Sequence, residues 1–224
     1  MLIKIMQNVL EANDNKAAEL RAQLNKQNIF VVNLISSPGS GKTTILEKTL
    51  PLLAAKNIRA AIIEGDIATD KDAKRLEPFN VPVALINTDG ACHLESVSIE
   101  KALQSFALDA IDIIFIENVG NLVCPAEFDI GEDVKVAVLS TPEGTDKVSK
   151  YPLLFHEASL VLLNKIDLLE YLDFHVQTFY NDVAKIHPDL KVIEIAASKN
   201  IGLEEWVDWL EACVEKKKKT MRHD

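Results

Sequence analysis

The residues with the clearest chemical capacity lie in the segment SSPGSGKTT, Ser36 to Thr44. Gly39 and Gly41 let the backbone N–H groups around Ser40 and Thr44 converge on phosphate oxygens, and a helix starting there adds positive potential. Lys42 can reach the outer phosphates, and the Thr43 hydroxyl can ligate Mg²⁺. The usual spacing of this phosphate loop begins with a glycine where this chain carries Ser36. Acids follow two later apolar runs. Glu64, Asp66, Asp70 and Asp72 come after residues 59–63, and Glu117 with Gly120 comes after residues 111–116. Asp66 is the first candidate for the Mg²⁺ shell and Asp72 the second, while Asp70 could equally cap a helix. Gly120 could donate its N–H to a γ-phosphate, with Glu117 on Mg²⁺ directly or through water. No glutamine stands where a water-positioning residue is expected, so slow or partner-dependent hydrolysis is the expectation.

A second set of donors is softer. Cys92 and His93 are adjacent in NTDGACHLES, and Cys124 follows in NVGNLVCPAEFD. Thiolate and imidazole suit Zn²⁺ and Ni²⁺. A single cysteine is more often a core thiol than a ligand, but both loops should emerge beside the phosphates. One chain supplies three such donors, one short of a closed site, and adjacent Cys92 and His93 look strained as ligands of one ion. Two copies pooling ligands across a two-fold axis would relieve both problems.

The base is read from Asn164, Lys165 and Asp167, in the sequence NKID after the run 160–163. This resembles the guanine-recognition motif of GTPases. There the carboxylate takes two N–H groups on one edge of guanine, a strict charge-assisted pairing that adenine cannot offer. Ser198 and Lys199, in Ala197-Ser198-Lys199, sit where GTPases carry a loop that packs on the base.

These groups need a scaffold that delivers them to one edge. Apolar, β-branched runs at 29–35, 59–63, 81–86, 111–116, 134–139, 160–163 and 192–195 read as seven strands. Helical patterns near 70–77, 94–107, 146–156, 173–186 and 203–214 separate them. Alternation of this kind predicts an α/β fold: a P-loop NTPase with a mostly parallel seven-stranded sheet between helical layers, α/β/α. Ligands of such sheets sit at the carboxyl ends of the strands. Residues 1–28, interrupted at Asn13-Asp14-Asn15, predict one or two helices packed on the core. Residues 29–214 form the nucleotide domain, and residues 215–224 a basic tail that reads as solvated or frayed.

The chain has 224 residues, 48% of them hydrophobic, enough for one sizeable core. Its net charge of −10 argues against a nucleic-acid partner. No apolar stretch approaches the roughly 20 residues that span a bilayer, so no membrane partner is expected. The N-terminus lacks a secretory h-region. Three cysteines are too few for a disulfide framework, so the expected location is cytoplasmic.

Taken in order, SSPGSGKTT, EGDIATDKDAKRLE, NTDGACHLES, IENVGNLVCPAEFDIGE, TPEGTDKVSKYP and NKIDLL resemble the hydrogenase nickel-insertion GTPases. That family is related to the urease nickel-delivery and cobalamin-associated GTPases, against which the CHLES and CPAEFD blocks argue. The resemblance runs from about residue 29 to residue 210. It implies GTP/GDP, Mg²⁺ and Ni²⁺ or Zn²⁺ as ligands, with Asp66, Asp72 and Glu117 as switch and metal-proximal acids. It implies a GTP-dependent homodimer with Cys92, His93 and Cys124 at its interface, and Lys150 reaching the partner's nucleotide. Tyr171, Phe174 and Phe179 could join that interface or serve as core. Further implied partners are a nickel donor or acceptor accessory protein and the hydrogenase large subunit. Some members carry an N-terminal cysteine cluster or histidine-rich stretch, and residues 1–30 here have neither. A metal-binding dimer with a catalytically idle nucleotide site is the alternative from another class.

Overall fold

Val32 and Leu34 lie on one side of the first strand, and Val31 and Ile35 on the other. Both sides are buried, which is why a continuous apolar run rather than an alternating one encodes it. The computed structural model describes residues 2–66 and 75–220, with side chains from Leu10 onward except that of Asp66. The strands are β1 (Phe30–Ser36), β2 (Ala60–Asp66), β3 (Val83–Asn87), β4 (Ile113–Glu117), β5 (Val134–Ser140), β6 (Leu160–Asn164) and β7 (Val192–Glu194). They form one sheet in the order β3-β2-β4-β1-β5-β6-β7, parallel throughout. Each lies within three residues of its sequence-predicted run.

The helices are α1 (Leu2–Lys26), α2 (Lys42–Ala55), α3 (Ser96–Leu103), α4 (Cys124–Glu127), α5 (Lys147–Lys150), α6 (Pro152–Glu157), α7 (Val176–Ile186) and α8 (Leu203–Thr220). Ile45, Leu46 and Leu53 of α2 and Trp206 and Leu210 of α8 cover one face of the sheet. Leu20 and Leu24 of α1 with Ile99 of α3, and Phe155 of α6 with Phe179 of α7, cover the other. The β1–β4 and β1–β5 pairings put the loops after β1, β4 and β2 at one edge.

Two open expectations narrow and two others change. The polar triplet Asn13-Asp14-Asn15 does not break α1, because Asn13 is buried and bonded on three sides. Its amide donates to the Asp129 carbonyl at 2.7 Å, and its side-chain oxygen and carbonyl accept from Ser96. The predicted helix at 146–156 is two helices. Pro152 lacks the N–H that α5 would need to continue, and it drives Tyr151 out of helical geometry. The basic run Lys216–Lys219 is helical rather than frayed, because α8 continues to Thr220, although Lys216 and Lys219 are solvated as expected. Lys217 pairs with Asp133 at 2.5 Å and Lys218 with Asp112 at 2.7 Å. Finally, Phe174 and Phe179 belong to the core, whereas Tyr171 is exposed. Of the helix expected near 70–77, Arg75 and Leu76 are helical and a 3₁₀ turn follows at Glu77–Phe79. Residues 67–74, with Asp70 and Asp72, lie outside the described residues.

Candidate functional site

A cavity of about 460 Å³ opens at the carboxyl end of the sheet, lined by Gly39, Gly41, Lys42, Thr43, Glu117 and Gly120 among others. Gly39 and Gly41 have φ of +76° and +103°, which turns successive N–H groups into the cavity. A Cβ on Gly41 would stand 2.6 Å from the Asn164 amide nitrogen, so only glycine fits there. Lys42 is buried, and its ammonium donates to the Ser36 hydroxyl at 2.8 Å. The residue that departs from the usual loop spacing therefore holds the lysine beneath the phosphate cradle. Gly120 lies against the loop closely enough that a Cβ would meet the Pro38 ring at 2.8 Å.

Hard oxygen donors line the same wall. The Thr43 hydroxyl donates to Glu117 Oε1 at 2.9 Å, and strand register places Glu64 beside Glu117. Both carboxylates are buried and reach the cavity. A hydroxyl beside two neighbouring carboxylates is a donor set that fits Mg²⁺. Asp66 ends β2 beside this wall.

Asn164 is buried at the end of β6. It donates to the Ser40 carbonyl at 2.8 Å and accepts from the Ala197 N–H at 3.2 Å, joining the phosphate loop to the turn that carries Ser198 and Lys199. Lys165, in the left-handed region at φ +62°, donates to the Gly39 carbonyl at 2.7 Å. Asp167 Oδ1 is buried with no hydrogen-bond partner among the described residues. A buried acceptor without a donor is costly in a finished core, and it fits an incoming N–H edge such as that of guanine.

Cys92, His93 and Cys124 converge. One ligand atom from each lies within 4.8 Å of the others. The two sulfurs are 3.0 Å apart, and Cys92 Sγ stands 3.5 Å from His93 Nδ1. Adjacent Cys92 and His93 thus bring ligand atoms to Cys124 within a single chain. Tetrahedral ligands at about 2.3 Å from an ion stand about 3.8 Å apart, so a small outward shift of the thiols admits one. The Phe128 ring lies against the imidazole, tilted by 35° with 3.8 Å between ring centroids. Burial pulls the His93 pKa down, which favours the neutral, ligating form. The adjacent Cys124 thiol, with burial second, pushes the Cys92 thiol up. A cation between the two sulfurs would favour thiolate there.

Lys150 is exposed, pairs with Asp146 of its own helix at 2.5 Å, and does not line the phosphate cavity. Three positioning groups escaped sequence reasoning. Glu143 accepts from the Ser40 hydroxyl at 2.6 Å and pins the phosphate loop to the turn after β5; its capping-box spacing from Ser140 was the available signal. Arg75 reaches the cavity rim and pairs with Glu47 and the Thr44 hydroxyl. Asn118 binds across two loops, which no local pattern announces.

Residues 11–194 match the family model described as CobW/HypB/UreG, nucleotide-binding domain. The hydrogenase maturation factor HypB of Azotobacter chroococcum mcd 1 is 48% identical over 212 residues, covering 94% of this chain and 68% of that protein. The hydrogenase/urease maturation factor HypB of Helicobacter hepaticus is 39% identical, covering 93% and 87%. The crystal structure of HypB from Helicobacter pylori in complex with nickel superposes with a TM-score of 0.86 at 39% identity, covering 93% of this chain and 96% of that one.

Proposed function

This chain belongs to the HypB hydrogenase maturation factors of the CobW/HypB/UreG family, and from that premise we propose that it is a GTP-hydrolysing nickel carrier whose cargo site answers to its nucleotide. One observation carries the reading: Gly120, on the phosphate cavity, and Cys124, in the three-donor cluster, belong to one short loop. A shift of Gly120 toward a γ-phosphate must be absorbed within four residues of a cargo ligand.

In this reading the N–H groups around Gly39 to Thr44 hold the phosphates, and Lys42 neutralises the outer ones. Asp167 selects guanine, while Asn164, Lys165, Ser198 and Lys199 shape the base pocket. Mg²⁺, held by Thr43 with Glu117, Asp66 and Asp72, would offset phosphate charge. Cys92, His93 and Cys124 hold nickel for the hydrogenase large subunit or an accessory protein. GTP favours a two-fold dimer in which Lys150 reaches the partner's phosphates, and hydrolysis to GDP loosens it. Coupling of this kind is reciprocal: nickel changes nucleotide affinity by the factor that nucleotide changes nickel affinity.

The test is nickel titration of the full chain with GDP, with a non-hydrolysable GTP analogue, and without nucleotide. Different nickel affinities in the three states are expected, with Cys92→Ala weakening all of them and Lys42→Ala abolishing hydrolysis. Equal affinities would remove the coupled reading. The Helicobacter hepaticus relative, whose name joins hydrogenase and urease, favours a second reading in which urease is also an acceptor. Activation of apo-urease and apo-hydrogenase in parallel reconstituted extracts separates the two.

A further inference from the structure

Asn118 stands between the nucleotide cavity and the thiol cluster and bonds toward both. It is 2% exposed and lines the cavity between Glu117 and Gly120. Its Oδ1 accepts from two backbone N–H groups: Val119 at 2.9 Å, next to Gly120, and Leu94 at 3.3 Å, next to His93. Two backbone donors on one atom settle which end of the amide is oxygen. The other end donates to Asn33 Oδ1 at 3.2 Å, and Asn33 in turn donates to the buried Glu132.

Leu94 is seated equally firmly. Its side chain fills the space above Gly65 of β2, where a Cβ would stand 2.8 Å from both Leu94 methyls. A second tie runs from the Asn121 amide to the Cys92 carbonyl at 3.2 Å. The loop carrying Cys92 and His93 therefore hangs by its backbone from side chains of the loop that follows β4.

We propose that Asn118 is the positioning residue through which the nucleotide state reaches Cys92 and His93. This rests on the nucleotide-coupled nickel reading above and names the part that transmits it. Cys124 needs no relay, because it shares a loop with Gly120. Cys92 and His93 lie on another loop, and the shared acceptor makes the backbone at Leu94 follow the backbone at Val119. Without it, a buried Leu94 N–H loses its acceptor, and the 92–94 loop settles independently of the phosphates.

The experiment measures nickel dissociation constants at saturating GDP and saturating non-hydrolysable GTP analogue, followed by thiolate-to-nickel charge-transfer absorption. The ratio of the two constants is compared in the native chain, Asn118→Ala and Asn118→Asp. Coupled sites commonly show ratios of about 5–150-fold. The ratio is expected to fall to about unity in Asn118→Ala and to persist in Asn118→Asp, which keeps the shared acceptor. If Asn118→Ala does not fold, Asn118→Ser replaces it, being too short to reach Leu94.

Retention of the native ratio in the alanine or serine variant overturns the relay and leaves the coupled reading standing. Loss in Asn118→Asp as well overturns the relay too, because general packing rather than the acceptor is then responsible. A ratio of one in the native chain overturns the coupled reading and the relay together.

Discussion

Asp167 holds a buried carboxylate oxygen with no donor opposite it among the described residues, and its neighbours Asn164 and Lys165 are spent on the phosphate loop. In the proposed reading, the base contact that discriminates therefore falls to this one side chain. Each charge-assisted hydrogen bond is worth about 1.5–3 kcal/mol, so losing the pair weakens binding by at least about a hundredfold. Asp167→Asn is expected to lose GTP by that order and to gain xanthosine triphosphate, whose purine edge offers an acceptor where guanine has a donor. Competition titrations with both nucleotides read this out. At the same scale, Lys42 and Gly41 were plain in the sequence because their chemistry is local. Ser36 looked like a defect in the motif, and only its 2.8 Å contact with Lys42 reveals its use.

Among the elements, α8 is the one whose end was misjudged. Its basic run packs back across the amino ends of the strands, where Lys218 and Arg59 meet Asp112. Burial by itself would raise the Asp112 carboxyl; hydrogen bonds and charge from Arg59 and Lys218 overcome it and hold the group well below the usual carboxylate range. A depressed folded-state pKa stabilises above the unfolded value of about 3.9 and is lost as pH falls through the folded value. Asp112→Asn is therefore expected to cost roughly 1–3 kcal/mol at pH 7, with the difference from the native chain narrowing below about pH 4. Denaturant melts across that range measure it. A gap that stays constant down the series would mean the carboxylate's charge contributes nothing. In α1, Asn13 teaches the same lesson, since a polar triplet reads as a break until a partner 116 residues away satisfies it.

For the whole molecule, the three donors form a cluster within one chain, so a second copy is not required to gather them. With GTP analogue, Mg²⁺ and nickel, light scattering is expected to give twice the chain mass, and GDP to return it to one. Lys150→Ala should weaken only the GTP form, since the ion pair of Lys150 within this chain is a local, exposed one with Asp146 at the cap of its own helix. Equal masses in both nucleotide states would end the gated-dimer proposal.

The seven strands and the phosphate loop were legible in the sequence because each depends on neighbours: apolar runs bury both sheet faces, and glycines near a lysine make a cradle. The sequence also offered Cys92, His93 and Cys124 as donors. Their approach to within 4.8 Å was a matter of tertiary structure, since it depends on β3 and β4 lying in one sheet with only β2 between them. The same strand order brings Asn118 beside Leu94, and the packing of α8 on the sheet docks Lys217 and Lys218 on acids from distant loops. Local order in a chain specifies which groups exist and what conformation each prefers. Which of them touch is decided by strand order, a property of the folded sheet as a whole.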